Sequence, residues 1–319
     1  MSEFDLIRTY FADIGPARAD VALGVGDDCA LLSVPAGHAL AVSIDTLASG
    51  IHFFPDCDPE HLGHKSLAVG LSDLAAMGAD PAWSTLALTL PSADEDWVRA
   101  FSRGFTRLSQ AHGIRLVGGD TTRGPLSVSV QVHGFVPLGA AIRRSGARLG
   151  DLVCVSGTLG DAGLALRQML EGTDVDPALR RRLELPEPRV ALGRGLRGIA
   201  SAMIDLSDGL AGDLGHILRA SGVGAELDLM RLPLTPAVAN AVRKDADWSL
   251  PLSSGDDYEL CFCIPRERIE DARRLGVGLG CPVSVVGVIS DQPGLRCRQA
   301  NGDLLNAVRG GFDHFATGA

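Results

Sequence analysis

Apolar and polar positions alternate with two different periods along this chain, and the period switches many times. Residues 3–14 place apolar side chains at helical spacing and predict a short amphipathic helix. "HALAVSID", residues 38–45, reads as a strand that ends in polar residues. Residues 59–79 return to helical spacing, with Pro59 at the start and Gly78 near the end. "WSTLALTLP" predicts a strand, and "DEDWVRAFSRGFTRLSQAHG" a helix with an acidic first turn closed by Gly113. "IRLVGGD" reads as a strand running into a glycine turn, and "LSVSVQVHGFVP" alternates as a half-buried strand does.

After Pro137 the pattern restarts. "DLVCVSG", "AMIDLS", "AELDLMRL", "YELCFCIP" and "VSVVGVIS" predict strands. "GDAGLALRQML", "GLAGDLGHILRAS" and stretches within 176–200, 235–245 and 265–275 predict helices. Small and basic residues cluster in "LGAAIRRSGARLG", which sets a boundary near 138–148 and domains of 1–140 and 141–319. Both halves mix strands with helices, so each is expected to be an α/β or α+β layer structure.

Acidic residues recur at the joints of this pattern. "LGVGDDCALL" places Asp27 and Asp28 side by side after a glycine turn. Two like charges about 4 Å apart repel by roughly 4 kcal/mol at an effective dielectric near 20, so the pairing calls for a partner. "SIDT" adds Ser43, Asp45 and Thr46; "LSDLAAMGA" adds Asp73; "VGGDTT" adds Asp120; "IDLSDG" adds Asp205, Ser207 and Asp208; "SGDDYEL" adds Asp256 and Asp257. Most follow an apolar strand-like run, and strand ends at one edge of a sheet converge. Gathered carboxylates need counter-charge. All are the short acid Asp, with Ser and Thr hydroxyls beside them, an all-oxygen set that suits Mg²⁺ and, through it, phosphate. Taken singly, each cluster also reads as a turn in which Asp bonds its own backbone.

Charge and composition narrow the chemistry. The net charge of −10 argues against nucleic acid as a partner. No apolar run is long enough for a membrane span, and the start "MSEFDLIRTYF" lacks the basic region of a signal peptide, so the cytoplasm is expected. The seven cysteines form no C-x-x-C pair and read mostly as buried thiols. Of 29 basic residues only Lys65 and Lys244 are lysine, and neither stands in a P-loop. "GRGLRG", Gly193 to Gly198, matches a dinucleotide fingerprint but lies in a helical stretch without a strand before it, and is set aside. Phosphates would then be held by metal, arginine and glycine-turn amides.

The ordered set "GVGDDCALL", "SIDTLASGIHF", "LAVGLSDLAAMGADPAW", "LVGGDTTRGPLSVSV", "RRSGARLGD", "SAMIDLSDGLAGDLGHI", "SSGDDYELCF" and "GGFDHF" resembles the thiamine-monophosphate kinase family. That family belongs to the aminoimidazole-ribonucleotide-synthetase-like superfamily. The likeness runs in order from about residue 3 to 315. It implies transfer of the ATP γ-phosphoryl group onto thiamine monophosphate, giving thiamine diphosphate. It implies an α+β N-terminal domain whose mixed sheet pairs into a dimeric barrel in a homodimer, followed by a C-terminal α/β domain that completes the active site. Carried over motif by motif, Asp28, Asp45, Asp73, Asp120, Asp205 and Asp208 are the expected Mg²⁺ ligands, with the Ser43 oxygen and a backbone carbonyl at Ile44. Gly119, Asp120, Arg144 and Ser207 would contact ATP. His52, Asp256 and Phe312 would hold thiamine monophosphate, although relatives often carry the longer Glu at 256. No general base is needed, because the attacking phosphate oxygen is already ionised at pH 7. The rival readings are another ATP-using synthetase or cyclase of the superfamily, a metal-dependent phosphatase, and a non-catalytic nucleotide binder.

Overall fold

The computed structural model describes residues 3–305. The chain divides into two compact units: residues up to Leu74 with Ala79–Gly139, and Ala75–Gly78 with the chain from Ala140.

The first unit runs α1 (Glu3–Tyr10), β1 (Val21–Leu23), β2 (Leu31–Leu32), β3 (His38–Ala48), α2 (Pro59–Ala76), β4 (Asp80–Leu90), α3 (Glu95–His112), β5 (Arg115–Arg123) and β6 (Ser127–Pro137). Its main sheet has the order β3-β6-β4-β5, antiparallel except for the β4–β5 pair. Helix α3 starts where the sequence says it should. The Asp94 carboxylate accepts the amides of Asp96 and Trp97, and Gly113 closes the helix at φ 66°. Its Trp97 and Phe101 rings stack at 5.4 Å. Helices α2 and α3 approach closely because Gly63 and Gly104 face each other's backbone. A Cβ there would fall 2.0 Å from the Phe101 carbonyl oxygen and 1.8 Å from that of Glu60. Val128, Val130 and Val132 of β6 are buried on one face, and Gly70 of α2 lies against Val132. Each such aliphatic side chain contributes about 1.5–3 kcal/mol when fully buried.

Three sequence expectations change here. The dimeric barrel is not formed: the sheet is open, β3 and β5 are its two edges, and among the described residues no sheet closes. Four strands are too few to curl until their edges meet. The glycine turn after "IRLVGGD" is also absent. Strand β5 continues through Gly118, Gly119 and Asp120 to Arg123, paired with β4 throughout and absorbing one irregularity opposite Ser84/Thr85. Strand β3 likewise runs past Asp45 to Ala48, so Asp45 and Asp120 lie inside strands. The β-branched residues that follow, Thr46, Thr121 and Thr122, keep both strands extended.

The second unit runs β7 (Leu152–Ser156), α4 (Asp161–Leu170), α5 (Pro177–Glu184), α6 (Val190–Gly195), β8 (Ala202–Asp205), α7 (Leu210–Ser221), β9 (Gly224–Asp228), α8 (Pro236–Asp245), α9 (Ser249–Ser253), β10 (Leu260–Ile264), α10 (Ile269–Gly278), β11 (Val283–Ser290) and β12 (Gly294–Arg298). The sheet order is β12-β9-β11-β7-β10-β8, and only β12–β9 is parallel. This is an α+β arrangement rather than a parallel α/β one. Strands β7, β8 and β10 are buried at every position, with Val153, Val155, Ile204, Cys261 and Cys263 in one core with Leu210, Leu214 and Ile217 of α7. All seven cysteines are free, and five of them are buried. Among the described residues no helix is long and apolar enough to cross a membrane.

Candidate active site

In the first unit, Ser43, Asp45 and Asp73 come together. Ser43 and Asp45 are alternate residues of β3 and so share one face of the sheet, the face covered by α2. Asp73 reaches them from α2, and the Ser43 hydroxyl donates to Asp73 Oδ2. Asp45 Oδ2 is buried and has no hydrogen-bond partner among the described residues. Burial, with the Asp73 charge second, pushes the Asp45 carboxyl up to about 6. Ile44 projects from the opposite face and is 62% exposed, which leaves its backbone, not its side chain, for the Asp45 side. Two carboxylates, one of them with an orphaned buried oxygen, and a hydroxyl form an all-oxygen donor set that fits a hard divalent cation. Among the described residues no three His, Cys, Asp or Glu side chains are gathered as a ready-made metal cluster.

The other two expected ligands of this unit, Asp28 and Asp120, are carried by different elements. Asp27 and Asp28 are exposed on the loop between β1 and β2. The Asp27 carboxylate accepts the Asp28 amide at 2.8 Å, so one member of the pair orders the turn that presents the other. That hairpin is seated on the sheet: Val21, Ala30 and Leu32 pack on Trp83 and Phe135, and the Trp83 indole donates to Asp20 at 3.0 Å. Arg18 grips the same Asp20 carboxylate at 2.7 and 2.9 Å. Asp120 lies in register with Ala87 of β4, on the edge strand opposite β3. Three strand spacings, roughly 14 Å, separate β5 from β3. Gly119 before it has φ 151°, and a Cβ there would fall 1.9 Å from the Leu86 carbonyl oxygen, so only glycine fits. His52 folds back on the end of β3, its Nδ1 accepting the Ala48 amide at 3.0 Å.

In the second unit, Asp205 ends β8 in a buried position, and Ser207 and Asp208 follow on the turn into α7. Asp213, on the first turns of α7, escaped the sequence reading. Its Oδ2 accepts the amides of both Asp208 and Gly209 at 3.1 Å. Burial pushes the Asp213 carboxyl up to about 7, against the pull of those amides and with the Asp208 charge adding to the rise. No capping box announces it, since it stands four residues after the Gly209 N-cap, one beyond the capping-box position. Arg144 is exposed, and its charge acts on both Asp213 and His216. Asp256 sits in the loop before β10, with its amide donating to the Ser207 carbonyl at 2.8 Å. Phe312 lies outside the described residues.

Beside Asp256 lies a second acidic group with a different character. Glu259 is fully buried and every approach to it is filled. Ser156 donates at 2.5 Å, Arg182 at 2.7 Å, and Arg189 twice, at 2.8 and 2.6 Å. A Cβ on Gly157 would lie 2.1 Å from Glu259 Oε1. Although burial opposes its charge, the Glu259 carboxylate keeps the Arg189 guanidinium protonated beyond its usual range. Asp257 accepts the Gly160 amide with both oxygens, at 3.0 and 3.1 Å, and burial drives its carboxyl well above the carboxylate range.

This two-unit architecture is that of the AIR synthase related proteins: the N-terminal domain model of that family matches residues 26–136 and the C-terminal domain model residues 148–299. Within it, the chain is 49% identical over 323 residues to the thiamine-monophosphate kinase of Escherichia coli K12, covering 99% of this chain and 98% of that protein. It is 47% identical to the crystal structure of thiamine-monophosphate kinase from Stenotrophomonas maltophilia, with a TM-score of 0.84 over 90% of this chain and 93% of that one. A structure of AaThiL complexed with AMPPCP and TMP superimposes with a TM-score of 0.78 at 30% identity, covering 89% of each chain. The chain belongs to the thiamine-monophosphate kinase family.

Proposed function

We propose that this chain transfers the γ-phosphoryl group of ATP directly onto the phosphate of thiamine monophosphate, yielding thiamine diphosphate and ADP, with Mg²⁺ held by its aspartates. The observation that carries this reading is the Asp45–Asp73 pair, whose buried, unpartnered oxygen beside a second carboxylate is a site made for a cation. Family membership supports the nucleotide and the acceptor, since a relative was solved with AMPPCP and TMP.

In the first unit Asp28, Asp45, Asp73 and Asp120 serve as ligands, with the Ser43 hydroxyl and the Ile44 carbonyl. In the second, Asp205 and Asp208 do so, and Asp213 holds the turn that carries Asp208 by accepting its amide. Mg²⁺, when bound, supplies the positive charge that lets two polyanionic phosphates share one site. Gly119, Asp120, Arg144 and Ser207 contact ATP, with Gly119 letting the backbone come close. His52 and Phe312 hold the acceptor, and the Asp256 carboxylate faces its cationic thiazolium ring. No residue removes a proton, because the attacking oxygen carries none at pH 7. The enzyme works as a homodimer; Leu40, Val42 and Ile44, exposed on one face of the edge strand β3, support a self-association surface.

A coupled ADP-release assay with a panel of phosphorylated acceptors tests the reading. ADP appears only with thiamine monophosphate, stops in EDTA and returns with Mg²⁺. Acceptor-independent phosphate release would instead mark a phosphatase, and nucleotide binding without turnover a non-catalytic binder.

A further inference from the structure

Backbone strain concentrates in one loop of the second unit. Among the described residues three non-glycine residues have φ in the left-handed region, and two of them, Asp256 at 60° and Tyr258 at 48°, lie two residues apart. Gly255, at 73°, precedes them, and a Cβ there would fall 2.5 Å from the Ser207 carbonyl oxygen. Residues persist in this region only where their surroundings over-determine it, and such places concentrate at functional sites. The surroundings do so here. The Asp256 amide donates to Ser207 O and the Tyr258 amide to Leu206 O, both at 2.8 Å, and the Leu206 amide returns a bond to Glu259 O at 2.8 Å. Asp257, turned inward between the two strained residues, clamps the Gly160 amide.

The side chains show what this backbone achieves. Tyr258 is buried, 7% exposed, and its hydroxyl donates to Asp256 Oδ1 at 3.0 Å. A carboxylate on a single Cβ has two soft torsions, and a hydrogen bond from a packed phenol restricts them before any ligand arrives. We propose that Tyr258 is a positioning residue for acceptor recognition: it holds the Asp256 carboxylate in the orientation that meets the cationic ring of thiamine monophosphate. The inference rests on the assignment of Asp256 to the acceptor. Preorganisation of this kind lowers the ordering cost of binding and acts on the acceptor, not on ATP.

Initial-rate kinetics with each substrate varied in turn test it, using Tyr258→Phe, Asp256→Asn and the double variant. Tyr258→Phe keeps the packed ring and loses only the hydroxyl, so KM for thiamine monophosphate rises about fivefold, the loss of one hydrogen bond. KM for ATP and kcat stay within about twofold. Asp256→Asn raises the same KM by about tenfold, and the double variant is no worse than Asp256→Asn alone, because the tyrosine acts through that carboxylate. The positioning role is overturned if Tyr258→Phe leaves KM for thiamine monophosphate unchanged while Asp256→Asn raises it, if both KM values rise together, or if the two penalties add. If Asp256→Asn itself leaves KM for thiamine monophosphate unchanged, the acceptor assignment fails, and the role of Tyr258 with it.

Discussion

Glu259 and Asp45 are both carboxylates withdrawn from water, and the protein treats them in opposite ways. Glu259 receives four hydrogen bonds from Ser156, Arg182 and Arg189, and two guanidinium charges offset its own. Among the described residues Asp45 receives no partner at Oδ2, and it has a second carboxylate, Asp73, as its neighbour. A buried charge that the chain fully answers belongs to the scaffold; one left without a partner is costly, and a bound cation would remove that cost. The same contrast separates Asp257, bound to the Gly160 amide, from Asp45. Acidic residues close in sequence, such as Asp256, Asp257 and Glu259, can therefore divide between function and framework.

The contrast breaks most visibly under substitution. Asp45→Asn should lower kcat/KM by at least about a thousandfold, equivalent to about 4 kcal/mol of transition-state stabilisation. In EDTA the same variant should melt no lower than the wild type. Glu259→Ala should show the reverse. It strands Arg182 and Arg189 in the interior and costs about 3–5 kcal/mol of stability, measurable by urea unfolding. The protein that remains folded should turn over near the wild-type rate. If Glu259→Ala folds stably but is inactive, the two carboxylates do not divide in this way.

A pH series sharpens the comparison. Asp45 has a folded-state value raised from 3.8 to about 6. Below about pH 4 it is protonated in both folded and unfolded chains and imposes no penalty. As pH rises through 6 the unfolded chain has already lost its proton, and the metal-free fold must hold an uncompensated charge. Its contribution to stability falls by up to about 3 kcal/mol across that window. Asp213, raised to about 7, acts in the same direction slightly higher. Denaturant midpoints in EDTA at pH 5 and pH 7.5 should differ less for Asp45→Asn than for the wild type. The smallest effect belongs to the exposed loop: Asp27→Ala removes only the bond to the Asp28 amide and should cost under about 1 kcal/mol of stability.

What the sequence disclosed follows the range of the interactions involved. Helix α3 was legible because its cap, acidic first turn and terminal glycine are local, and its bounds match the pattern to within a residue or two. The acidic motifs were legible as motifs. Their spatial grouping was not: Ser43–Asp73 spans 30 positions, and Asp120 sits on the sheet edge opposite Asp45. The Glu259 network links residues 70 to 103 positions apart, and nothing near Glu259 in sequence announces Arg182, Arg189 or Ser156. The short β1–β2 hairpin was missed because strands of three and two residues carry no periodicity. The continuation of β5 through "GGD" was missed because glycine reads as a turn, whereas here Gly119 admits the Leu86 carbonyl. The barrel came from resemblance, and an open four-stranded sheet took its place.

Asp45 and Asp73 are proposed to form a site that a divalent cation completes. Thermal unfolding of wild type and Asp45→Asn, each in EDTA and in excess Mg²⁺ at neutral pH, tests it most directly. A ligand that binds only the folded state raises its stability by mass action. Mg²⁺ should raise the wild-type melting temperature by several degrees and leave Asp45→Asn almost unmoved, and in EDTA the variant should melt at or above the wild type. An equal Mg²⁺ shift in both proteins, or a variant that melts well below the wild type in EDTA, would contradict it.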